Sequence, residues 1–299
     1  MKEGCDLCPR ACGVNRRLAV GRCGETREIR VARAALHHWE EPCLSGSRGS
    51  GTVFFSGCGL GCVFCQNHAI SRGGVGQVVA ESALPELFLG LQAQGAHNLN
   101  LVTGTHFWPG IVRALERAKE GGLRLPVVWN TGGYETAEAI EALARHVDIW
   151  LMDVKFYDSG LSAALAGAPD YFAVAGQAAR LACRLAGPPL YADDGLLQKG
   201  FLLRLLVLPG QRQDAQNILY WAAQALPKGG FLLSLMSQYT PPGPPMPLKA
   251  LERRVSSFEY RQVEAWAVQL GLENGYSQNR SAASAAYIPP FLHSEGGEE

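Results

Sequence analysis

The chain lacks an excess of charge of either sign. Its 299 residues carry 27 Lys+Arg against 27 Asp+Glu, and the basic residues form no long run. Nucleic acids and anionic membranes are gripped by clustered cations, so neither is an expected partner. No uninterrupted apolar stretch approaches the ~20 residues that span a bilayer. The start, Met1-Lys2-Glu3-Gly4-Cys5, has no apolar segment behind it of the kind a secretory leader requires. The chain is therefore expected to work in the cytoplasm. A hydrophobic share of 47% is ordinary for a soluble protein with a sizeable core, and the length suits one large domain or two modest ones.

Cysteine, by contrast, is abundant. Nine are present, at 5, 8, 12, 23, 43, 58, 62, 65 and 183, and seven of them fall into two tight clusters. In a reducing compartment such clusters point to metal rather than disulfides, and an odd total fits a paired framework poorly. Cys58, Cys62 and Cys65 read C-x3-C-x2-C, with Gly57, Gly59 and Gly61 between and before them. Glycine lets so short a loop wrap round a compact object and aim its thiolates inward. What this loop lacks is a fourth thiol. Four usually hold a four-iron cluster, so three leave one iron open to chemistry. The plainer alternatives are a zinc knuckle or three unrelated buried thiols. Cys5, Cys8, Cys12 and Cys23 form C-x2-C-x3-C-x10-C, a complete ligand set for zinc or an iron–sulfur cluster. A segment that short builds no core of its own, so a metal would supply its order; spacing does not choose between the two metals.

From Gly51 the chain turns repetitive. Six short apolar runs, Thr52–Phe55, Asn98–Thr103, Pro126–Asn130, Val147–Asp153, Phe201–Val207 and Phe231–Met236, read as buried strands. Between them lie helix-like stripes, Leu84/Phe88/Leu91 and Ile111/Ala114/Leu115/Ala118, with further candidates at Ala137–His146 and Gln213–Ala225. Roughly 31 residues per unit is the size of a βαβ repeat. Parallel strands covered by helices are expected, and six units are too few for a closed eight-stranded barrel. The fold class is thus α/β, an open partial (β/α)6 TIM-type barrel, with a small N-terminal metal knuckle. The expected division is residues 1–49 as the cysteine-rich segment, 50–243 as the barrel and 244–299 as a C-terminal helix and tail. Before the barrel, Glu28–Val31 alternates like a short edge strand. After it, Pro241–Pro247 is too proline-rich for helix or internal strand. Ser257–Leu272 reads as a helix closing the open side of the barrel, followed by a tail from Ser281 with an apolar patch at Tyr287–Leu292.

Ligand groups gather at the carboxyl ends of parallel strands. Those ends carry Thr103, then Asn130 and Thr131, then Asp153 and Lys155, then Gln238, while Arg204 lies inside an apolar strand and requires a partner. His37-His38-Trp39-Glu40-Glu41-Pro42-Cys43 has the composition of a site. Neighbouring histidines on a loop are more often solvated or bonded to backbone than ligands, however, so the sequence leaves open whether this stretch reaches the site.

The cysteine loop, with Phe64 before Cys65, resembles that of the radical S-adenosylmethionine (SAM) superfamily, and the six-unit barrel with the loop after its first strand agrees. Within the superfamily the stretch from about residue 51 to 243 is most similar to pyruvate formate-lyase activating enzymes. It resembles more closely still a branch of these with CxxCPRxC, HHWEEPC, GAHNLNLVTGTH and MSQY. The resemblance implies a [4Fe-4S] cluster on Cys58, Cys62 and Cys65 with SAM on its open iron. It places Asp153 and Lys155 toward SAM, Asn130 and Thr131 at its methionine end, and Phe64 beside the adenine. Thr103, Arg204 and Gln238 join them as candidate contacts. Two departures stand out: Thr103-Gly104-Thr105 replaces the Gly-Gly-Glu that holds the SAM amine, and Gln238-Tyr239 stands where activating enzymes carry histidine. The implied reaction is reductive cleavage of SAM to a 5'-deoxyadenosyl radical, fed by flavodoxin or ferredoxin. Its target is a backbone glycine of a partner protein or a small molecule. A non-catalytic electron-transfer module with two cysteine-held centres is the competing reading.

Overall fold

All six apolar runs are strands, and each turns alternate side chains to opposite faces of one sheet. The computed structural model describes residues 4–243 and 245–278. In chain order its elements are β1 (Arg30–His37), α1 (Pro42–Ser45), β2 (Ser50–Phe55), α2 (His68–Ser71), β3 (Gln77–Val78), α3 (Leu84–Ala93) and β4 (Leu99–Val102). Next come α4 (Trp108–Glu120), β5 (Val127–Thr131), α5 (Ala137–Leu143), β6 (Ile149–Asp153), α6 (Ser159–Ala166) and α7 (Tyr171–Ala186). The rest are β7 (Leu190–Tyr191), β8 (Leu197–Leu206), α8 (Arg212–Ala225), β9 (Leu232–Met236), α9 (Ser257–Gln269) and β10 (Gly275–Ser277). Strand order is β10-β9-β8-β6-β5-β4-β2-β1-β3, and from β2 to β10 every neighbouring pair is parallel. Among the described residues nothing pairs β10 with β3, so the sheet curls into a partial barrel that stays open.

Two apolar layers follow from the alternation. Val53, Phe55, Trp129, Trp150, Phe201 and Leu203 face outward into the helices, where Phe88, Ile111, Leu115 and Leu219 meet them. Val128, Ile149, Leu151, Leu202 and Leu232 face inward, and there Leu44 of α1 fills the space between them. The lower end of the barrel is therefore packed, held further by Asn98 donating from its side chain to Leu44 O at 2.8 Å. Inward residues higher up are polar, because the register sets Asp153 opposite Arg204 and Arg204 opposite Ser234.

The predicted edge strand is longer and lies inside the edge. β1 runs to His37 antiparallel to β2, and β3 pairs with its first residues; the apolar side chains of Ala32, Ala34, Ala35 and Leu36 continue the strand past the alternation at Arg30. The helix predicted at Ser257–Leu272 ends at Gln269. Ser256 and Glu259 start it with a reciprocal capping box. Its stripe packs against the outer layer beside α8 rather than across the barrel's open side, since Val263, Ala267 and Tyr260 join the outward-facing core. Helices α6 and α7, the hairpin strand β7 and the seventh parallel strand β10 are additional to the sequence pattern. The residues of Pro241–Pro247 that are described hold neither helix nor strand. The tail from Ser281 and the patch Tyr287–Leu292 lie outside the described residues.

Candidate active site

The cysteine loop leaves β2 at its carboxyl end. Gly57 and Gly61 take positive φ of 82° and 57°, and a Cβ on Gly57 would sit 2.5 Å from Cys23 O. These two glycines are needed for conformation and close approach. Gly59 is not: a Cβ there would meet Cys8 Sγ and Arg10 Cγ at an ordinary 3.6 and 3.9 Å. Cys58 N–H donates to Cys23 O at 3.1 Å, Val63 N–H to Leu165 O at 2.9 Å, and Cys65 N–H to Cys62 O at 3.1 Å. Arg10 reaches over from the N-terminal segment, donating to Gly59 O at 2.7 Å and Ala166 O at 2.6 Å.

Cys58, Cys62 and Cys65 line one cavity of about 390 Å³, and that cavity also receives Phe64, Thr103, Asn130, Thr131, Asp153, Lys155, Arg204 and Gln238. Every predicted contact residue of the barrel therefore borders the same space. Burial pushes the Cys62 thiol up to about 12, and Cys58 and Cys65 act in the same direction. Lys155 is ion-paired with Asp153. Burial alone would push its ammonium down, yet Asp153 outweighs that and holds it above its usual range. Asp153 Oδ1 is buried with no partner among the described residues, an acceptor left over for something else. The Tyr171 hydroxyl accepts from Lys155 N–H at 2.9 Å and lies 2.8 and 3.1 Å from the carbonyl oxygens of Gly132 and Asp153. It thereby ties the end of β5 to the end of β6. Thr103 has φ +58°, a left-handed conformation that a β-branched residue adopts only under constraint.

The stretch of residues 37–43, which the sequence left open, is part of this cavity, which His37, Trp39, Glu40, Glu41 and Pro42 also line. Arg204 finds the partners it required here, donating to Glu41 at 3.0 and 2.6 Å and to Glu40 at 2.5 Å. Glu40 Oε1 accepts the side-chain amides of Asn100 at 2.9 Å and Asn130 at 3.2 Å. Burial alone would raise the Glu41 carboxyl, but Arg204 outweighs it and keeps it below the usual range. The sequence could not decide the matter because no local pattern shows which carboxylates face the barrel. The usable signal was Arg204, a buried cation in search of anions. Glu135 was missed. It accepts from Thr105 Oγ1 at 2.6 Å, Thr131 Oγ1 at 2.5 Å and Trp129 Nε1 at 3.2 Å, and burial raises its pKa. Tyr239, in the place of the activating-enzyme histidine, is buried against Phe64 and donates to Leu251 O at 2.7 Å. Gln238 reaches the cavity instead and is met by Gln278 Nε2 at 3.2 Å.

Residues 52–184 match the family model of the radical SAM superfamily. By that match this segment is similar to a radical SAM domain. A protein of Methanocaldococcus jannaschii is 30% identical over 176 residues, 57% of this chain and 51% of that one, so the chain spans about half the length of this curated relative. Among solved structures, a domain of pyruvate-formate lyase-activating enzyme from Bacteroides vulgatus is similar with a TM-score of 0.41 at 12% identity, covering 57% of this chain and 91% of that one. SuiB of Streptococcus suis gives 0.49 at 12% identity over 77% and 48% of the two chains. Methylornithine synthase gives 0.47 at 17% over 73% and 63%.

The radical SAM domain implies a four-iron cluster and SAM. The donor set suits both, since three thiols and a row of paired charges share one cavity. Among the described residues no three Cys, His, Asp or Glu side chains are closed into a metal-holding arrangement, so the thiols share a region without converging on one point. The N-terminal thiols are likewise grouped. Cys12 and Cys23 Sγ lie 3.6 and 3.4 Å from where a Gly21 Cβ would be, and Cys8, pushed up to about 11 by burial, borders the main cavity. No helix among the described residues is long and apolar enough to cross a membrane.

Proposed function

We propose that this chain is an enzyme that holds SAM against a four-iron cluster on Cys58, Cys62 and Cys65 and directs the resulting radical chemistry. Bound together, these cofactors supply a 5'-deoxyadenosyl radical by one-electron cleavage of the SAM sulfonium. The observation that carries the reading is that the three thiols and the Asp153/Lys155/Arg204 row line the same cavity. SAM ends in an ammonium and a carboxylate. Lys155 offers the second a cation, while the unpartnered Asp153 Oδ1 and the Asn130 side chain, fixed by Glu40, offer the first oxygen acceptors. Arg204 is committed to Glu40 and Glu41, so it acts by holding the floor in shape. Phe64, Thr103, Thr131 and Gln238 complete the walls, and the packing around Leu44 keeps water from entering below.

In the same reading Cys5, Cys8, Cys12 and Cys23 hold a second centre, zinc or iron–sulfur. The radical is passed to a glycine of a partner protein in preference to a small molecule, supported by the likeness to activating enzymes. The electron comes from a flavodoxin- or ferredoxin-type protein. The test is anaerobic: reconstitute with iron and sulfide, add SAM and dithionite, and measure 5'-deoxyadenosine. Cys58→Ala is expected to abolish product and Cys5→Ala to leave some, with iron and zinc counts identifying the second metal. A fully assembled cluster that yields no 5'-deoxyadenosine overturns the proposal.

A further inference from the structure

The cysteine loop borders a second space. On its outer side Cys58, Gly59, Leu60, Gly61 and Val63 line a groove of about 290 Å³. The groove's charged residues are Arg22 and Arg72, with no carboxylate in its lining. Both arginines are exposed, and neither guanidinium has a hydrogen-bond or ion-pair partner among the described residues. They are also close to the loop: Arg72 Nη1 lies 3.2 Å from the Cβ position of Gly61, and Arg22 Nη2 lies 3.2 Å from that of Gly167 at the opposite wall. Leu18 and Val20, 85% and 58% exposed, sit on the segment that carries Arg22. In a chain of zero net charge this is a cationic, partly apolar surface placed directly behind Cys58, which borders both spaces.

We propose that this groove is where an acidic one-electron donor protein docks. The inference rests on the reading of Cys58, Cys62 and Cys65 as cluster ligands. A centre walled in by the barrel on one side takes its electron from the side where the thiol lies nearest solvent, and unpaired guanidinium groups there steer an anionic partner. Redox encounters are small and transient, so a short basic rim around an apolar patch is enough. The exchange balances with a reduced flavoprotein as donor: its flavin hydroquinone gives up one electron to become the semiquinone, and the cluster accepts that electron.

The test uses the full chain and a flavodoxin as probe. Binding of oxidised flavodoxin, followed by biolayer interferometry, needs no cluster and so reads docking separately from the chemistry of the inner cavity. Wild type is expected to bind more weakly as salt rises from about 0.05 to 0.2 M. The double variant R22E/R72E is expected to lose at least about tenfold in affinity, while R145E, an exposed reversal on the loop after α5, keeps wild-type binding. On reconstituted protein, stopped-flow bleaching of cluster absorbance by flavodoxin hydroquinone should slow by a similar factor in R22E/R72E. Bleaching by the methyl viologen radical cation should not slow. Unchanged flavodoxin binding in R22E/R72E, or equal losses in R145E, overturns the docking surface. Failure of all variants to assemble a cluster while docking persists would count against the cluster ligands instead.

Discussion

Replacing Arg204 by methionine should cost this protein about 4 kcal/mol of stability at neutral pH, and two routes lead to that figure. The change removes three charge-assisted bonds to carboxylates whose side chains are only 8% and 6% exposed. Removing one side of a buried ion pair typically costs about 3–5 kcal/mol. Alternatively, the stranded pair sheds charge by taking up a proton. Protonating one carboxyl with an ordinary pKa near 4.3 costs about 3.7 kcal/mol at pH 7. The second route has a signature, because at about pH 5.5 the same protonation costs only about 1.6 kcal/mol. The sign is that of a carboxyl raised on folding, which adds stability as pH falls. Urea denaturation followed by circular dichroism, under reducing conditions at both pH values, should show the deficit of R204M shrinking by about 2 kcal/mol on acidification. R204M/E41Q should recover most of it, since the glutamine needs no proton. A deficit below about 1 kcal/mol at pH 7, or one equal at both pH values, would refute the picture of two carboxylates sharing one cation.

Other changes test neighbouring features. His106 is buried, its Nε2 donates to Ser56 O at 2.7 Å, and burial lowers its pKa to about 3. Its contribution is complete above about pH 6.5 and is lost as pH falls toward 3, so wild type should lose about 2 kcal/mol between pH 6.5 and 5 from this group alone; H106F should show a flatter pH–stability slope. Y171F leaves Lys155 N–H without its acceptor and should cost about 1–3 kcal/mol in thermal or urea unfolding, with a value near zero contradicting its bracing role. G57A forces a side chain onto Cys23 O at positive φ and should lower both stability and iron bound per chain after reconstitution, whereas G59A should be tolerated. Equal iron contents in the two variants would show that the loop does not depend on that approach.

The barrel was legible because its strands are buried on both faces, so near-continuous apolar runs mark them without reference to partners. Helices α6 and α7 were not, since alanine and glycine dominate them and blur the stripe that periodicity detects. β10 pairs through only three residues and has no run to find. At the site, groups at strand ends could be located by counting strands. Glu40 and Glu41 enter the barrel from a segment that precedes it, and Glu135 sits in a turn after β5; such long-range placement leaves no local pattern. Arg204 alone announced that anions were near.

The packing of Leu44 against Val128, Ile149, Leu151, Leu202 and Leu232 makes the barrel a cup rather than a tube. Among the described residues this packing closes the floor, so a ligand seated against Glu40 and Asn130 has no exit beneath it. Two molecules that share the cavity, one deep and one shallow, must then load in a fixed sequence, the deep one first, and unload in reverse. Initial-rate patterns with a cofactor and a second substrate should be those of compulsory-order binding.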